Sequence, residues 1–195
     1  GRQWALFSAL GPAVGRALLP PRCLVCEEPG HAGQDLCLAC RRELPWHLAA
    51  CARCALPLPR PAPRCGRCAG PAPPHAATHA VFRYAPPVDQ LLRRLKFHGD
   101  LAAGRLLSQL LAEALASAPQ PGALLPLPLH RRRLRQRGFD QALELARPLA
   151  ARLGVPLRAD GLRRRRATAP QSELDAAARR RNVRGCFALG PGPPL

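Results

Sequence analysis

The sequence contains no methionine, one tyrosine and one lysine, and only 4% of it is aromatic. With no methionine at Gly1, the natural chain is expected to begin upstream of this sequence. So few aromatic side chains leave Leu and Ala to fill most of the core, which suits packed helices better than an all-β sandwich. No run of 18 apolar residues occurs, so no membrane-spanning helix is expected. Acidic residues are scarce as well: 12 Asp and Glu stand against 30 Lys and Arg, a formal net charge of +18. Residues 131–195 hold 16 basic and 5 acidic side chains, +11 of that total. Such a field attracts polyanions, whether phosphorylated small molecules, single-stranded nucleic acid or an anionic membrane surface. Charge by itself does not choose among them.

The 195 residues are enough for one good core, or for a small module followed by a moderate domain. The apolar stretch 4–19 is broken by Arg16 and followed by Pro20, Pro21, Arg22 and Cys23, where a signal peptide would place small residues for cleavage. It reads instead as an amphipathic helix with Trp4, Phe7, Leu10, Val14 and Leu18 on one stripe. With no export signal, a cytoplasmic location is expected.

What the chain has in quantity is cysteine in a ladder. CLVC, CLAC, CARC and CGRC begin at Cys23, Cys37, Cys51 and Cys65, a repeat of 14 residues throughout. Each C-x2-C knuckle can supply two thiolates to one ion, and two knuckles complete a tetrahedral sulfur site. Cys23, Cys26, Cys37, Cys40, Cys51, Cys54, Cys65 and Cys68 therefore make two four-thiolate zinc sites. Four thiolates leave no open position for water or substrate, so both zinc ions are expected to be structural. The alternative of four vicinal disulfides needs an oxidising compartment. Four knuckles can pair in three ways, and sequential pairing is only mildly preferred. His31, His47, His75 and His79 read as loop residues beside eight available thiolates.

Prolines between 56 and 74 rule out a regular helix and suggest a boundary there. Beyond it, residues 78–84 alternate like a strand, and residues 88–97 and 101–116 have leucines at helical spacing, with Asp100 placed to cap. Lys96 stands alone where arginine is the default; it reads first as a surface residue, with a specific need as the alternative. Residues 124–129 read as a short apolar strand, 131–137 as an arginine-rich loop, and 140–153 as a helix that Gly154 ends and Pro148 kinks or divides. A brief strand at 155–157 would complete the strand–helix–strand unit of a parallel sheet. Strand, basic loop and helix N-terminus suit phosphate, because freed N–H groups and guanidinium forks meet its oxygens, and Gly138 would allow close backbone approach. A second run, Arg163 to Arg166, precedes a helix to Asn182 capped by Ser172 with Asp175, and 187–189 starts another strand. Cys186, outside the ladder, reads as a small buried residue.

In this order the pieces resemble the ComF family of bacterial competence proteins, phosphoribosyltransferase-like proteins with an N-terminal double zinc ribbon. The resemblance covers residues 20–189 and rests on the ladder, YAPPVDQLLRRLKFHGD (84–100), LPLPLHRRRLRQRGFDQA (125–142) and RRATAPQSELDAAARRRNVRGCF (165–187). It implies an α/β fold: the double zinc ribbon, then a partial type I phosphoribosyltransferase-like parallel sheet with flanking helices. The expected divisions are an N-terminal helix over 1–21, the ribbons over 22–74, and a phosphoribosyltransferase-like domain over 75–195, incomplete at its C-terminus. It further implies that residues 130–138 contact pyrophosphate, through Arg131, Arg132, Arg133 and Arg137. Arg137, Gly138 and Gln141 fall on the family's Arg-Gly-Phe-Asn-Gln tract. Asp140 replaces the usual asparagine there; a carboxylate can cap a helix but cannot donate a hydrogen bond.

Family members continue with a strand ending in paired acidic residues and a Thr-Thr-Gly turn that holds phosphoribosyl pyrophosphate. Asp160, Glu173 and Asp175 are isolated or used as caps, so the sequence is expected to be a truncated or decayed copy. Mg²⁺ with phosphoribosyl pyrophosphate is expected only in an intact member. One implied function is a transferase that binds a sugar phosphate or nucleotide and serves DNA uptake in natural transformation. The other is a non-catalytic, zinc-stabilised adapter for single-stranded DNA or for other competence proteins.

Overall fold

Residues 20–70, 74–168 and 174–191 are described by the computed structural model. The expected helix within 4–19 and Ser172 of the expected capping box lie outside them. Two compact units divide the chain, 1–92 and 93–195.

In the first unit the ladder folds as two copies of one pattern. After Cys26 and Cys54 the backbone turns through positive φ, 66° at Glu27 and 54° at Ala55. The turns close alike: Glu27 N–H donates to Cys23 O and Ala55 N–H to Cys51 O, both at 2.8 Å. Bridges Arg22–Pro29 and Ala50–Pro57 flank them. The second knuckle of each copy is helical. Cys37 caps α1 (Leu38–Arg42), and Cys65 precedes a single 3₁₀ turn, Gly66–Cys68. Around the second copy, Cys51, Cys65 and Cys68 are themselves the buried core, with Cys54, Leu56 and Leu58 packed on them.

The segment 78–84, expected as a strand, contributes one antiparallel bridge, Phe82 to Trp46. His47 N–H donates to Val81 O at 2.9 Å, Arg83 N–H donates to Pro45 O at 2.8 Å, and the Trp46 and Phe82 rings lie 4.9 Å apart. These contacts hold 78–84 within the first unit, and the division falls at 92/93, beyond the proline-rich tract.

Helix α2 (Val88–His98) buries Val88, Leu91 and Leu95 at spacings of three and four. In the second unit Leu95 packs on Gly104, where a Cβ would come within 3.0 Å of the Leu95 side chain. Helix α3 (Leu101–Leu115) follows a turn held by Asp100, whose Oδ1 accepts from Ala103 N–H at 3.0 Å and whose Oδ2 accepts from Arg94 Nε at 2.9 Å. Burial opposes ionisation of this carboxyl, but Ala103 N–H and Arg94 outweigh it and hold its pKa below the usual aspartate value. Because the folded value is the lower one, the stabilisation is fully present above an unfolded pKa of about 3.9 and is lost as pH falls through the folded value. Urea titrations from pH 5 to 2 should show that limb in the wild type and a flatter one in Asp100→Asn.

Residues 124–129 make one parallel bridge, Leu124 to Leu157, in place of the expected strand. Pro126 and Pro128 lack N–H groups on alternate residues, so one edge cannot extend the ladder. The expected parallel sheet is therefore represented among the described residues by that bridge, and the two strands, β1 (Leu162–Arg164) and β2 (Phe187–Leu189), pair antiparallel. Residues 131–137, expected as a loop, are helix α4 (Arg131–Arg137). Arginine, leucine and glutamine favour a helix, His130 Nδ1 accepts from Arg132 N–H at 3.3 Å, and Gly138 ends it at φ 79°.

Helix α5 (Gln141–Leu153) runs unbroken through Pro148, where two pieces or a kink were expected. It packs on α3, burying Ala146 and Ala150, and Ser108 Oγ lies 3.0 Å from Leu145 O. That packing holds the helix together past the bond Pro148 cannot donate. Helix α6 (Ala176–Val183) is capped by Asp175, whose Oδ1 accepts from Ala178 N–H at 2.7 Å.

Candidate functional site

The eight ladder cysteines form two groups, Cys23, Cys26, Cys37 and Cys40, and Cys51, Cys54, Cys65 and Cys68. Within each group all four sulfurs lie within 4.8 Å of one another, so the pairing is sequential. Between knuckles, Cys26 and Cys37 sulfurs are 3.6 Å apart and Cys54 and Cys65 sulfurs 3.7 Å. A tetrahedral zinc ion with bonds of about 2.3 Å spaces its sulfurs about 3.8 Å apart, so the cradles fit that ion.

Thiol chemistry agrees. Burial opposes ionisation of Cys23, but backbone N–H groups of Cys37, Cys26 and Val25 bring it down to about 6. Cys51 behaves alike, against burial, through Cys54, Arg53 and Cys65 N–H groups, also to about 6. In turn Cys68 is pushed up to about 12 by hydrogen bonding to Cys54 and by burial, and burial with Cys26 and Cys37 pushes Cys40 up. Cys23 and Cys51 are thus the readier thiolates, and Cys40 and Cys68 call for a cation beside them before they ionise. His47 and His75 place Nε2 3.0 Å from the Ala55 and Arg53 carbonyls, and neither belongs to the sulfur groups.

In the second unit helix α4 sorts its arginines by face. Arg132, Arg133 and Gln136, with His130, line a cavity of about 210 Å³ closed by Arg164, Ala167 and Thr168. Among the described residues no carboxylate lines it. Arg164 is held over the Phe187 ring, 5.4 Å from its centroid, and donates to the Thr168 hydroxyl. Its Nε is buried without a hydrogen-bond partner among the described residues.

One turn on, Arg133 and Arg137 meet Lys96. Burial first, then the Arg137 and Arg133 charges, lower the Lys96 pKa; burial and Arg133 lower that of Arg137, against the pull of Asp140. Three cations crowded this way favour an anion between them.

Asp140 ties the arrangement down. Its Oδ2 accepts from Leu129 N–H at 2.7 Å, and its Oδ1 from Ala142 and Leu143 N–H at 3.0 and 3.3 Å. One carboxylate therefore joins the segment before α4 to the start of α5. All three bonds are accepted, so these contacts need no amide donor at position 140.

Residues 14–76 match the family described as Double zinc ribbon domain. The chain is 36% identical over 180 residues to DNA utilization protein YhgH of Salmonella typhi, covering 88% of this chain and 78% of that protein. Competence protein F of Haemophilus influenzae is 32% identical over 112 residues, 54% of this chain and 49% of its own length. The chain belongs to the ComF family. A further ComF relative, DNA utilization protein YhgH of Escherichia coli strain K12, is 38% identical over 112 residues, 54% of this chain and 49% of that protein. No solved structure gives a significant match.

For this ComF chain the sequence-derived anion residues separate. Arg132 and Arg133 line the cavity, Arg133 and Arg137 adjoin Lys96, and Arg131 is in neither group. Gly138 is the αL end of α4, with open space where a Cβ would stand. Gln141 opens α5 with Nε2 buried and without a hydrogen-bond partner among the described residues. Gln136, Arg164 and Thr168 were missed. Arg164 sits in the second basic run and Thr168 in the tract after it, but nothing local links either to α4. Among the described residues no helix is long and apolar enough to cross a membrane.

Proposed function

We propose that this ComF-family protein serves DNA uptake in natural transformation and binds a sugar phosphate of the phosphoribosyl pyrophosphate type along helix α4. Its relatives' names, DNA utilization protein and Competence protein F, support the process. The observation that carries the ligand is the cavity lined by Arg132, Arg133 and Arg164, with His130, Gln136 and Thr168 supplying further polar contacts. Guanidinium forks pair with phosphate oxygens, and hydroxyl and amide groups complete the shell. Gly138 and Gln141 would hold the far side at the start of α5. The eight cysteines would bind two structural zinc ions that fold the ribbons.

Module limits of 1–21, 22–74 and 75–195 and a cytoplasmic setting, where thiols stay reduced, belong to the same reading. Among the described residues no carboxylate lines the cavity, and no step is assigned to Mg²⁺. The lining groups account for binding, and none is assigned to turnover. A second reading, a single-stranded DNA adapter, is favoured by the 16 basic residues against 5 acidic in 131–195.

Calorimetric titration with phosphoribosyl pyrophosphate tests the first reading. Arg133→Ala, which removes the residue shared by the cavity and the Lys96 cluster, should weaken binding by roughly 10- to 100-fold, as expected for a charged hydrogen-bond partner. Arg131→Ala should change it less than about threefold, as for an exposed charge. Equal losses in both variants would point to a diffuse positive field in place of a site.

A further inference from the structure

Phe97 is a large apolar side chain on the last turn of α2, and 62% of it is exposed. Its surroundings are cationic. Lys96 Nζ lies 4.9 Å and Arg137 Cζ 5.8 Å from its ring centroid. Arg133 joins Lys96 and Arg137 electrostatically, so the ring stands at the edge of the same cluster that adjoins the α4 cavity. A solitary exposed phenylalanine needs no explanation by itself. One flanked by two cations that also face an anion site is different, because each nucleotide of a strand presents a phosphate and a π-face side by side. Cation–π contacts would hold the ring in place while its exposed surface stays open to a stacking partner.

We propose that Phe97 is a base-stacking platform, so that Lys96, Arg133 and Arg137 hold the phosphate and Phe97 the base of one nucleotide in single-stranded DNA. This rests on the single-stranded DNA reading of the basic surface and adds the residue that takes a base beside the phosphate. The chain's poverty in aromatics is no obstacle, since one ring serves one base and the basic surface carries the rest of the strand.

The test uses the full zinc-loaded chain and two labelled oligomers of equal length and charge, oligothymidylate and its abasic analogue, read by fluorescence anisotropy. The wild type should prefer the thymidine oligomer by about tenfold, the scale of one stacked base. Phe97→Ala should abolish that preference while leaving abasic affinity unchanged, and Phe97→Trp should keep it. Equal affinity of the wild type for both oligomers, or a Phe97→Ala loss shared equally by both, overturns the platform and leaves anion binding standing. Failure to bind either oligomer overturns the platform and the single-stranded DNA reading, while the calorimetric titration decides the sugar-phosphate reading separately; oligomer binding indifferent to Arg133→Ala overturns the placement of the strand on α4 and the platform with it.

Discussion

Stripping the metal from the full chain under reducing conditions is expected to unfold residues 20–70 and to leave α3 and α5 folded. The ribbons have little else to hold them. Leu36 and Leu44 are buried, but the second copy's core consists of Cys51, Cys65 and Cys68 with Cys54, Leu56 and Leu58 against them. Remove the ion, and the sulfurs that must lie within 4.8 Å of one another have only their mutual repulsion or weak thiol hydrogen bonds. Structural zinc sites of this kind contribute apparent binding energies of about 10–16 kcal/mol near pH 7, more than such a core can replace.

Hydrogen exchange with and without a strong chelator should show protection lost at the Cys23, Gly30, Cys51 and Ala55 amides, all hydrogen-bonded in the fold. Protection should persist in α3, whose Ala103, Leu106, Leu107 and Leu110 are buried by ordinary apolar packing. Cys51→Ser, at a fully buried ligand of the second cradle, should reproduce the loss at Ala55 and leave Cys23 and Gly30 protected. Unchanged protection after verified metal removal would mean that packing, and not the ion, holds the ribbons.

Asp140→Ala should destabilise the second unit by about 2–4 kcal/mol, combining a lost helix cap with an unsatisfied N–H at Leu129. The three bonds accepted by this carboxylate set where α5 begins and where the segment before α4 ends. Its loss should therefore also weaken phosphate binding, through misplacement of Arg132, Arg133 and Arg137. Asp140→Asn separates the roles of the two carboxylate oxygens. The amide oxygen can still cap Ala142 and Leu143, but its nitrogen would face the Leu129 N–H, donor against donor. An intermediate loss, read from the urea midpoint at constant slope, is the expected result. A variant as stable as wild type would show that the Leu129 bond contributes nothing.

Helices were read well from the sequence where the signal is local. The leucine spacing and Asp100 cap of α3, and the Asp140 start and Gly154 end of α5, lie where they were expected, because caps and periodicity act within a turn. The strand at 124–129 was misread because its apolar pattern hid the cost of Pro126 and Pro128. The basic run was misread as a loop because repeated charge suggested solvent, although arginine is a good helix former and His130 and Gly138 terminate a helix.

The sequence by itself determined the chemistry: eight thiolates in knuckles of one spacing, and an arginine surplus in the last third, because both are matters of residue type and short range. Tertiary structure alone decided which knuckles share a cradle, since each pair's meeting depends on how the chain folds between them. It alone brought Arg164 and Thr168 to the cavity with Arg132, and Lys96 and Phe97 to Arg137, with Arg133 shared by both groups. Those partners lie some thirty residues away along the chain on either side, and no local pattern encodes a contact that packing of separate elements must create.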